Sequence, residues 1–318
     1  MKISLLEPLG VSAEYIQKFA DACRAKGHTF TYYDNKTTDI EELKRRSEGQ
    51  DIVMIANNPY PDEVVRSADS LKMIAVAFTG IDHVGLAACK EKGITVCNCA
   101  GYSNVSVAEL SIGMTIGLLR KFHECDEAVR PQKTSAGLMG MEIAGKTVGI
   151  VGCGKIGLRA AKLYQAFGAD VLAYARTPKA EWAEEGIKAV DLESLLKESD
   201  IVVIMLPLND STRGFLDKDK LALMKPSALL INCARGPIID NAALADALNE
   251  ERIAGAAIDV FDMEPPIPSD YCLQNAKNIL LTPHIGFLTK EAMIRRADIE
   301  FDNVLSYTDG IVKNQCAV

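Results

Sequence analysis

Three short segments late in the chain carry side chains able to move a proton and hold an anion: INCARGPIID with Arg235, DVFDMEPP with Glu264, and LTPHIGF with His284. Imidazole is the side chain that titrates near neutrality, which makes His284 the natural acid and base. A carboxylate beside such a ring stabilises its protonated form and fixes its tautomer, the role open to Glu264. The planar guanidinium of Arg235 suits a substrate carboxylate and polarises a carbonyl as charge develops. Together the three types fit a reaction in which a carbonyl oxygen gains negative charge and is protonated, on a substrate that is itself an acid. Singly, Arg235 has an ion-pair alternative and Glu264 a loop-capping one. The other histidines, His28, His83 and His123, lie in stretches suited to surface or packing roles.

A second constellation precedes these. The run TVGIVGCGKIGLRAAKLYQAFGADVLAYART places Gly152, Gly154 and Gly157 in GxGxxG spacing, directly after a strand and at the start of a helix that Lys155 and Ile156 open. Gly152 permits the tight turn, Gly154 the approach of a diphosphate to the backbone, and Gly157 the packing of helix on strand. The helix N-terminus then meets the diphosphate with unpaired N–H groups and a favourable dipole. At the end of the next strand Ala175 stands where an acidic residue usually binds the adenosine ribose, and Arg176 and Thr177 follow. No carboxylate there repels a 2′-phosphate and a guanidinium is at hand, so the cofactor is read as NAD or NADP, with both open.

These residues need strand ends to present them. Short apolar runs, KISLLE, TFTYYD, DIVMIA, KMIAVAF and ITVCN, alternate with helical stretches such as AEYIQKFADACRAKG, and a second series follows: TVGIVG, DVLAYA, DIVVIML, SALLINC, IAGAAIDV and NILLTP. The alternation predicts parallel strands with crossover helices, and the near-continuous apolar character of the second series suits strands buried on both faces. In an open parallel sheet ligands gather outside the carboxyl ends of the strands, where residues remote in sequence meet. The expected fold is therefore α/β, with two doubly wound parallel-sheet domains, one of Rossmann type for the coenzyme and one flavodoxin-like for the substrate, and a cleft between them. The long apolar helix starting in YSNVSVAEL, with Ser103 or Asn104 as N-cap, marks the join. Residues 1–100 with 288–318 form the expected substrate domain, and residues 101–287 the coenzyme domain.

Composition excludes other classes. With 318 residues the chain exceeds one ordinary core, and a net charge of −8 argues against a grip on nucleic-acid phosphates. The opening MKISLLEPLG is too short in apolar residues for a signal peptide or a membrane span, which predicts a cytoplasmic protein. Nine cysteines without paired CxxC spacing read as free thiols in a reducing compartment, and packing is the better reading of Cys97 and Cys99 than a metal site. No metal is expected.

The quoted segments, with GCGKIG and SNVSVAEL, make the chain resemble the D-isomer-specific 2-hydroxyacid dehydrogenase family over nearly its whole length. The resemblance implies hydride transfer between a nicotinamide coenzyme and a small 2-keto acid or D-2-hydroxy acid, with Arg235, Glu264 and His284 in the roles above. It also implies coenzyme contacts at Pro207, Thr212, Cys233, Ala234 and Gly286, mostly through backbone, and at Asp259, which matches the aspartate that binds the nicotinamide carboxamide and which has a buried strand-end structural role as its alternative. On the substrate side it points to backbone N–H groups at Thr79 and Gly80 in AFTGIDHVGL, to Asn58 in ANNPYP facing them, and to Phe78 as a wall. The long helix after Gly101 is expected to pair two subunits into a homodimer. Departures from the family pattern, Leu110 for a usual histidine and a missing tryptophan before MEIAGK, touch none of the proposed chemistry. Two rivals share the fold: a dinucleotide-sensing, corepressor-like protein, and a phosphite- or formate-oxidising enzyme.

Overall fold

A computed structural model describes residues 1–317, which divide into two compact units, residues 1–103 with 289–317 and residues 104–288. In the first unit the chain runs β1 (Lys2–Leu5), α1 (Ala13–Ala25), β2 (Thr29–Tyr32), α2 (Ile40–Ser47), β3 (Ile52–Ile55), α3 (Asp62–Ser67), β4 (Met73–Val76), α4 (Leu86–Lys92) and β5 (Thr95–Asn98). All five strands are parallel in the order β2-β1-β3-β4-β5. Every residue of IVMI in β3 and MIAV in β4 is buried, because helices cover both faces. The helices start and stop where the sequence supplies caps: the Ser12 hydroxyl accepts from the Tyr15 N–H ahead of α1, and Gly93 takes the left-handed conformation that ends α4.

The second unit runs α5 (Asn104–Leu119), α6 (Phe122–Val129), β6 (Thr147–Val151), α7 (Lys155–Ala166), β7 (Asp170–Tyr174), α8 (Glu181–Glu184), β8 (Lys188–Ala189), α9 (Leu192–Glu198), β9 (Ile201–Ile204), α10 (Lys218–Leu221), β10 (Leu229–Asn232), α11 (Asn241–Asn249), β11 (Gly255–Ile258) and β12 (Ile279–Leu281). Its seven parallel strands are ordered β12-β11-β10-β9-β6-β7-β8. From β6 the chain steps outward to β7 and β8, then returns to lay β9 on the other side of β6. The crevice at that reversal, outside the carboxyl ends of β6 and β9, is where such sheets bind nucleotides. The strands after it, β9, β10 and β11, are buried throughout.

The last helix, α12 (Lys290–Thr308), belongs to the first unit, capped by the Thr289 hydroxyl on the Ala292 N–H. Phe301 stacks on Phe19 with centroids 4.1 Å apart. The α/β expectation with two parallel sheets is met. Only β8 went unread in the sequence; its two residues, Lys188 and Ala189, are exposed and carry no apolar run to announce them. Among the described residues no helix is long and apolar enough to cross a membrane, no cluster of ligands suits a metal, and all nine cysteines are free.

Candidate active site

Arg235, Glu264 and His284 follow β10, β11 and β12, three neighbouring strands at one side of the second unit's sheet. Parallel strands end at the same edge, so the loops that carry the three residues are adjacent by construction. The His284 loop is the most constrained. His284 has φ 57°, the left-handed region that few non-glycine residues occupy, and its N–H reaches back to Thr282 O at 2.9 Å. Asp259, at the end of β11 and fully buried, holds this turn from beneath: it accepts from the Thr282 hydroxyl at 2.6 Å and from the N–H groups of Ile285 and Gly286 at 2.8 Å each. Burial pushes the Asp259 carboxyl up, against the pull of these bonds.

Above the turn both carboxylate oxygens of Glu264 lie 2.9 Å from His284 Nδ1, and the Phe287 ring meets the imidazole edge-on at 5.2 Å. The His284 side chain is 13 % exposed and that of Glu264 57 %, so the acid reaches the ring from the solvent side. With Nδ1 committed to Glu264, Nε2 is the nitrogen left to exchange a proton with a substrate. Arg235 is half-buried on extended backbone (φ −147°) that opens a 3-10 turn at Gly236–Ile238. Its Nη1 donates to Ala234 O at 2.9 Å, while Asn232 at the end of β10 ties the loop by accepting from the Ala234 N–H and donating to Arg235 O, both at 3.0 Å.

The glycine loop fits a dinucleotide. Gly152 has φ 98° and leaves no room for a Cβ, which would sit 2.7 Å from the Met205 carbonyl carbon. A Cβ on Gly157 would lie 2.5 Å from Gly152 O, whereas one on Gly154 would meet nothing within 4 Å, so space is left open where a diphosphate would approach. No side chain caps α7, whose N-terminus begins at Lys155, followed by Ile156. Past β7, Ala175 is half-buried and Arg176 and Thr177 are exposed. Thr212 is buried and spends its hydroxyl on its own loop, donating to Pro207 O at 2.7 Å and accepting from the Asn209 N–H at 2.8 Å. Cys233 is buried against Met114, Ala234 is half-buried, and Gly286 is buried over Asp259.

In the first unit, Asn58 turns its side chain inward: it is fully buried, and Nδ2 donates to Thr37 O at 2.8 Å. Its N–H donates to Glu7 Oε1 at 3.0 Å and the Ala56 N–H does so at 2.7 Å, so a buried acid in LLEP organises this strand end; burial pushes the Glu7 carboxyl up. Only the Nδ2 end of the Asn58 amide is engaged in this way; its Oδ1 is buried with no hydrogen-bond partner. Phe78 is 5 % exposed, with the Arg296 guanidinium 5.1 Å over its ring, which makes it core as much as wall. Thr79 is exposed and Gly80 half-exposed, and Thr79 O accepts from Asn98 Nδ2 at 2.8 Å.

Asp259, read either as a coenzyme contact or as a buried strand-end residue, is buried with its carboxylate engaged in the histidine turn. Sequence reasoning missed other residues that support this site. Asn241, Asp262 and Tyr271 gave no signal beyond the closeness of Asp262 to Glu264, because only the folded loops bring them together. Their bonds are Asn241 Nδ2 to Asp262 Oδ1 and the Tyr271 hydroxyl to Asp262 Oδ2, each 2.9 Å.

Comparison with known proteins agrees with the geometry. The family described as "D-isomer specific 2-hydroxyacid dehydrogenase, NAD binding domain" matches residues 112–286. A glyoxylate reductase of Thermococcus litoralis is 36 % identical over 277 residues, covering 84 % of this chain and 83 % of that protein. A D-3-phosphoglycerate dehydrogenase of Archaeoglobus fulgidus is 34 % identical over 315 residues, 98 % of this chain, which spans only 58 % of that relative's length. Among solved structures, an acyclic imino acid reductase in complex with NADPH and D-Arg superposes with a TM-score of 0.90 at 28 % identity, covering 100 % of both chains.

Proposed function

Because the chain belongs to the D-isomer-specific 2-hydroxyacid dehydrogenase family, we propose that it interconverts a small 2-keto acid and its D-2-hydroxy acid with a nicotinamide coenzyme. The observation that carries this reading is the Glu264 carboxylate, with both oxygens 2.9 Å from His284 Nδ1, on loops next to that of Arg235. When bound, the nicotinamide supplies the hydride in reduction and accepts it in oxidation. In reduction, His284 Nε2 gives a proton to the carbonyl oxygen as that oxygen gains charge, and in oxidation it removes the hydroxyl proton. Glu264 places a carboxylate against the imidazole and keeps Nδ1 as the bonded nitrogen. Arg235 pairs with the substrate carboxylate and polarises the carbonyl.

The coenzyme is held by the loop Gly152–Gly157 and the N-terminus of α7, with backbone contacts along Pro207, Cys233 and Ala234. Ala175 and the exposed Arg176 leave the end of β7 without a carboxylate, so the coenzyme is read as NAD or NADP. We read the protein as a cytoplasmic homodimer. Support for pairing comes from α5, whose only charged residue is Glu109, and from the exposed Phe122, Val129, Met139 and Met141 that follow it.

The experiment is a panel of glyoxylate, hydroxypyruvate, pyruvate and longer 2-keto acids with NADH and with NADPH, followed by nicotinamide absorbance. Turnover of at least one small keto acid is expected. Tight coenzyme binding with no turnover across the panel would replace the enzyme with a dinucleotide sensor.

A further inference from the structure

Two of the three candidate catalytic loops touch through their backbones. A Cβ on Gly236, the residue after Arg235, would lie 2.0 Å from both the carbonyl carbon and the carbonyl oxygen of Phe261, so the Arg235 loop and the Glu264 loop cross with no side chain between them. Beside this crossing stands Asp262. Its Oδ1 accepts from Asn241 Nδ2 and its Oδ2 from the Tyr271 hydroxyl, each at 2.9 Å, and the Asp262 N–H is 3.4 Å from the same hydroxyl. The Tyr271 ring packs edge-on against Phe261 at 5.8 Å. Asn241 opens α11, directly downstream of the Arg235 loop, and its Nδ2 lies 3.4 Å from Gly236 O. One carboxylate thus bonds the far end of the Arg235 loop, through Asn241, and the segment after cis Pro265-Pro266, through Tyr271.

Stability alone is a poor account of this arrangement. Asn241 is 4 % exposed, yet its Oδ1 has no hydrogen-bond partner, and burying an unpaired amide oxygen costs free energy that an apolar residue in the same place would not. Glu264, for its part, has a largely exposed side chain, so the backbone that carries it contributes to its aim. Asp262 is separated from Glu264 by Met263 alone, so whatever fixes Asp262 fixes the direction from which Glu264 reaches the imidazole.

We propose that Asn241, Asp262 and Tyr271 form a positioning brace that locks the Arg235 loop to the Glu264 loop and so sets the Glu264 carboxylate on His284. This rests on the roles given above to Arg235, Glu264 and His284. The three are positioning residues: they act through the loops, and none is assigned a contact with substrate.

The test uses Asp262→Ala, Tyr271→Phe, Asn241→Leu and the Asn241→Leu/Asp262→Ala double variant in the full chain. Steady-state kinetics against pH are paired with an NMR titration of the His284 Cε1 proton in coenzyme-free protein, assigned with His284→Gln. Asp262→Ala is expected to lower kcat for keto-acid reduction by roughly ten- to a hundredfold, the scale of a small misplacement of a reacting group. Its keto-acid KM rises, its coenzyme KM does not change, and both its pH profile and the His284 titration move toward acid. Tyr271→Phe shows the same changes in smaller measure, and the double variant is no worse than the poorer single one. Should Asn241→Leu fail to fold, the other two variants carry the test, since Asp262 is exposed and Tyr271 half-exposed. A wild-type kcat, pH profile and His284 titration in Asp262→Ala, even with a lowered Tm, would overturn the brace. If the wild-type protein reduces no keto acid, the proposed reaction fails, and the His284 titration still decides for or against the brace.

Discussion

His284 combines three local conditions: a left-handed backbone, a fully buried aspartate tying down its turn, and a carboxylate on Nδ1. Backbone of that kind costs about 1–3 kcal/mol and persists only where the surroundings enforce it. The cost falls on the one histidine whose ring is placed for chemistry. His28 meets the chain N-terminus at 3.0 Å, His83 bonds Ala56 O at 2.9 Å, and His123 lies on the surface near Glu127. Glu264→Gln keeps the shape of the side chain and removes its charge, so it no longer favours the imidazolium. The expected outcome is a fall in kcat of roughly tenfold or more for reduction, with the pH profile displaced toward acid, read from kcat against pH between mildly acid and mildly alkaline buffers. An unchanged profile would remove Glu264 from the proton-handling unit.

At the scale of elements, the β6–α7 turn separates two jobs that a GxGxxG pattern merges. Backbone lies against Gly157 and Gly152, whereas a Cβ on Gly154 would meet nothing within 4 Å. Gly157→Ala should therefore destabilise the fold by about 1–3 kcal/mol through overpacking. Gly154→Ala should leave the melting temperature unchanged while weakening coenzyme binding, both read by thermal melts with and without NADH. Helix α12 makes a different prediction. Glu300 is fully buried with neither oxygen hydrogen-bonded, and burial drives its carboxyl well above its ordinary value of 4.5, despite the attraction of Arg296. A raised carboxyl binds its proton more tightly in the folded state, so its contribution is most favourable below about pH 4.5 and is lost as pH rises toward the folded value. Glu300→Gln carries no such penalty. Its melting temperature should exceed that of the wild type at pH 7.5, by a margin that shrinks toward pH 4.5; a margin that widens instead would contradict the burial argument.

The elements also explain what could be read beforehand. The strands of both sheets announced themselves because burial on two faces demands unbroken apolar runs such as IVMI and IVVI. The strand, turn and helix of the glycine loop were legible from the spacing of Gly152, Gly154 and Gly157, and the adjacency of the Arg235, Glu264 and His284 loops from the apolar strand that precedes each. The partners of the buried Asp259, the inward turn of Asn58 onto Thr37, and the Asn241–Asp262–Tyr271 contacts were not legible, since each depends on loops meeting in three dimensions. The buried polar stripe of α12, Arg296, Glu300 and Asn303, was hidden likewise, because those residues read as the wet face of an amphipathic helix.

For the molecule as a whole, four exposed apolar side chains follow α5 in the chain: Phe122 is 59 % exposed, Val129 71 %, Met139 89 % and Met141 45 %, after a helix that is apolar on most of its surface. Exposed apolar side chains of this kind suit a surface that a second copy covers. A dimer is expected by sedimentation at micromolar concentration, and Phe122→Lys with Met139→Lys should shift it to monomer; a wild-type protein that sediments as a monomer would refute the pairing. Every role assigned above converges on one claim, that His284 hands the proton to the keto acid as hydride arrives. The most direct test is single-turnover reduction by His284→Ala preloaded with reduced coenzyme. The rate should fall by about 10²–10⁴-fold, the usual worth of a positioned general acid, while coenzyme affinity measured by fluorescence stays that of the wild type; a near-wild-type rate would contradict the claim outright.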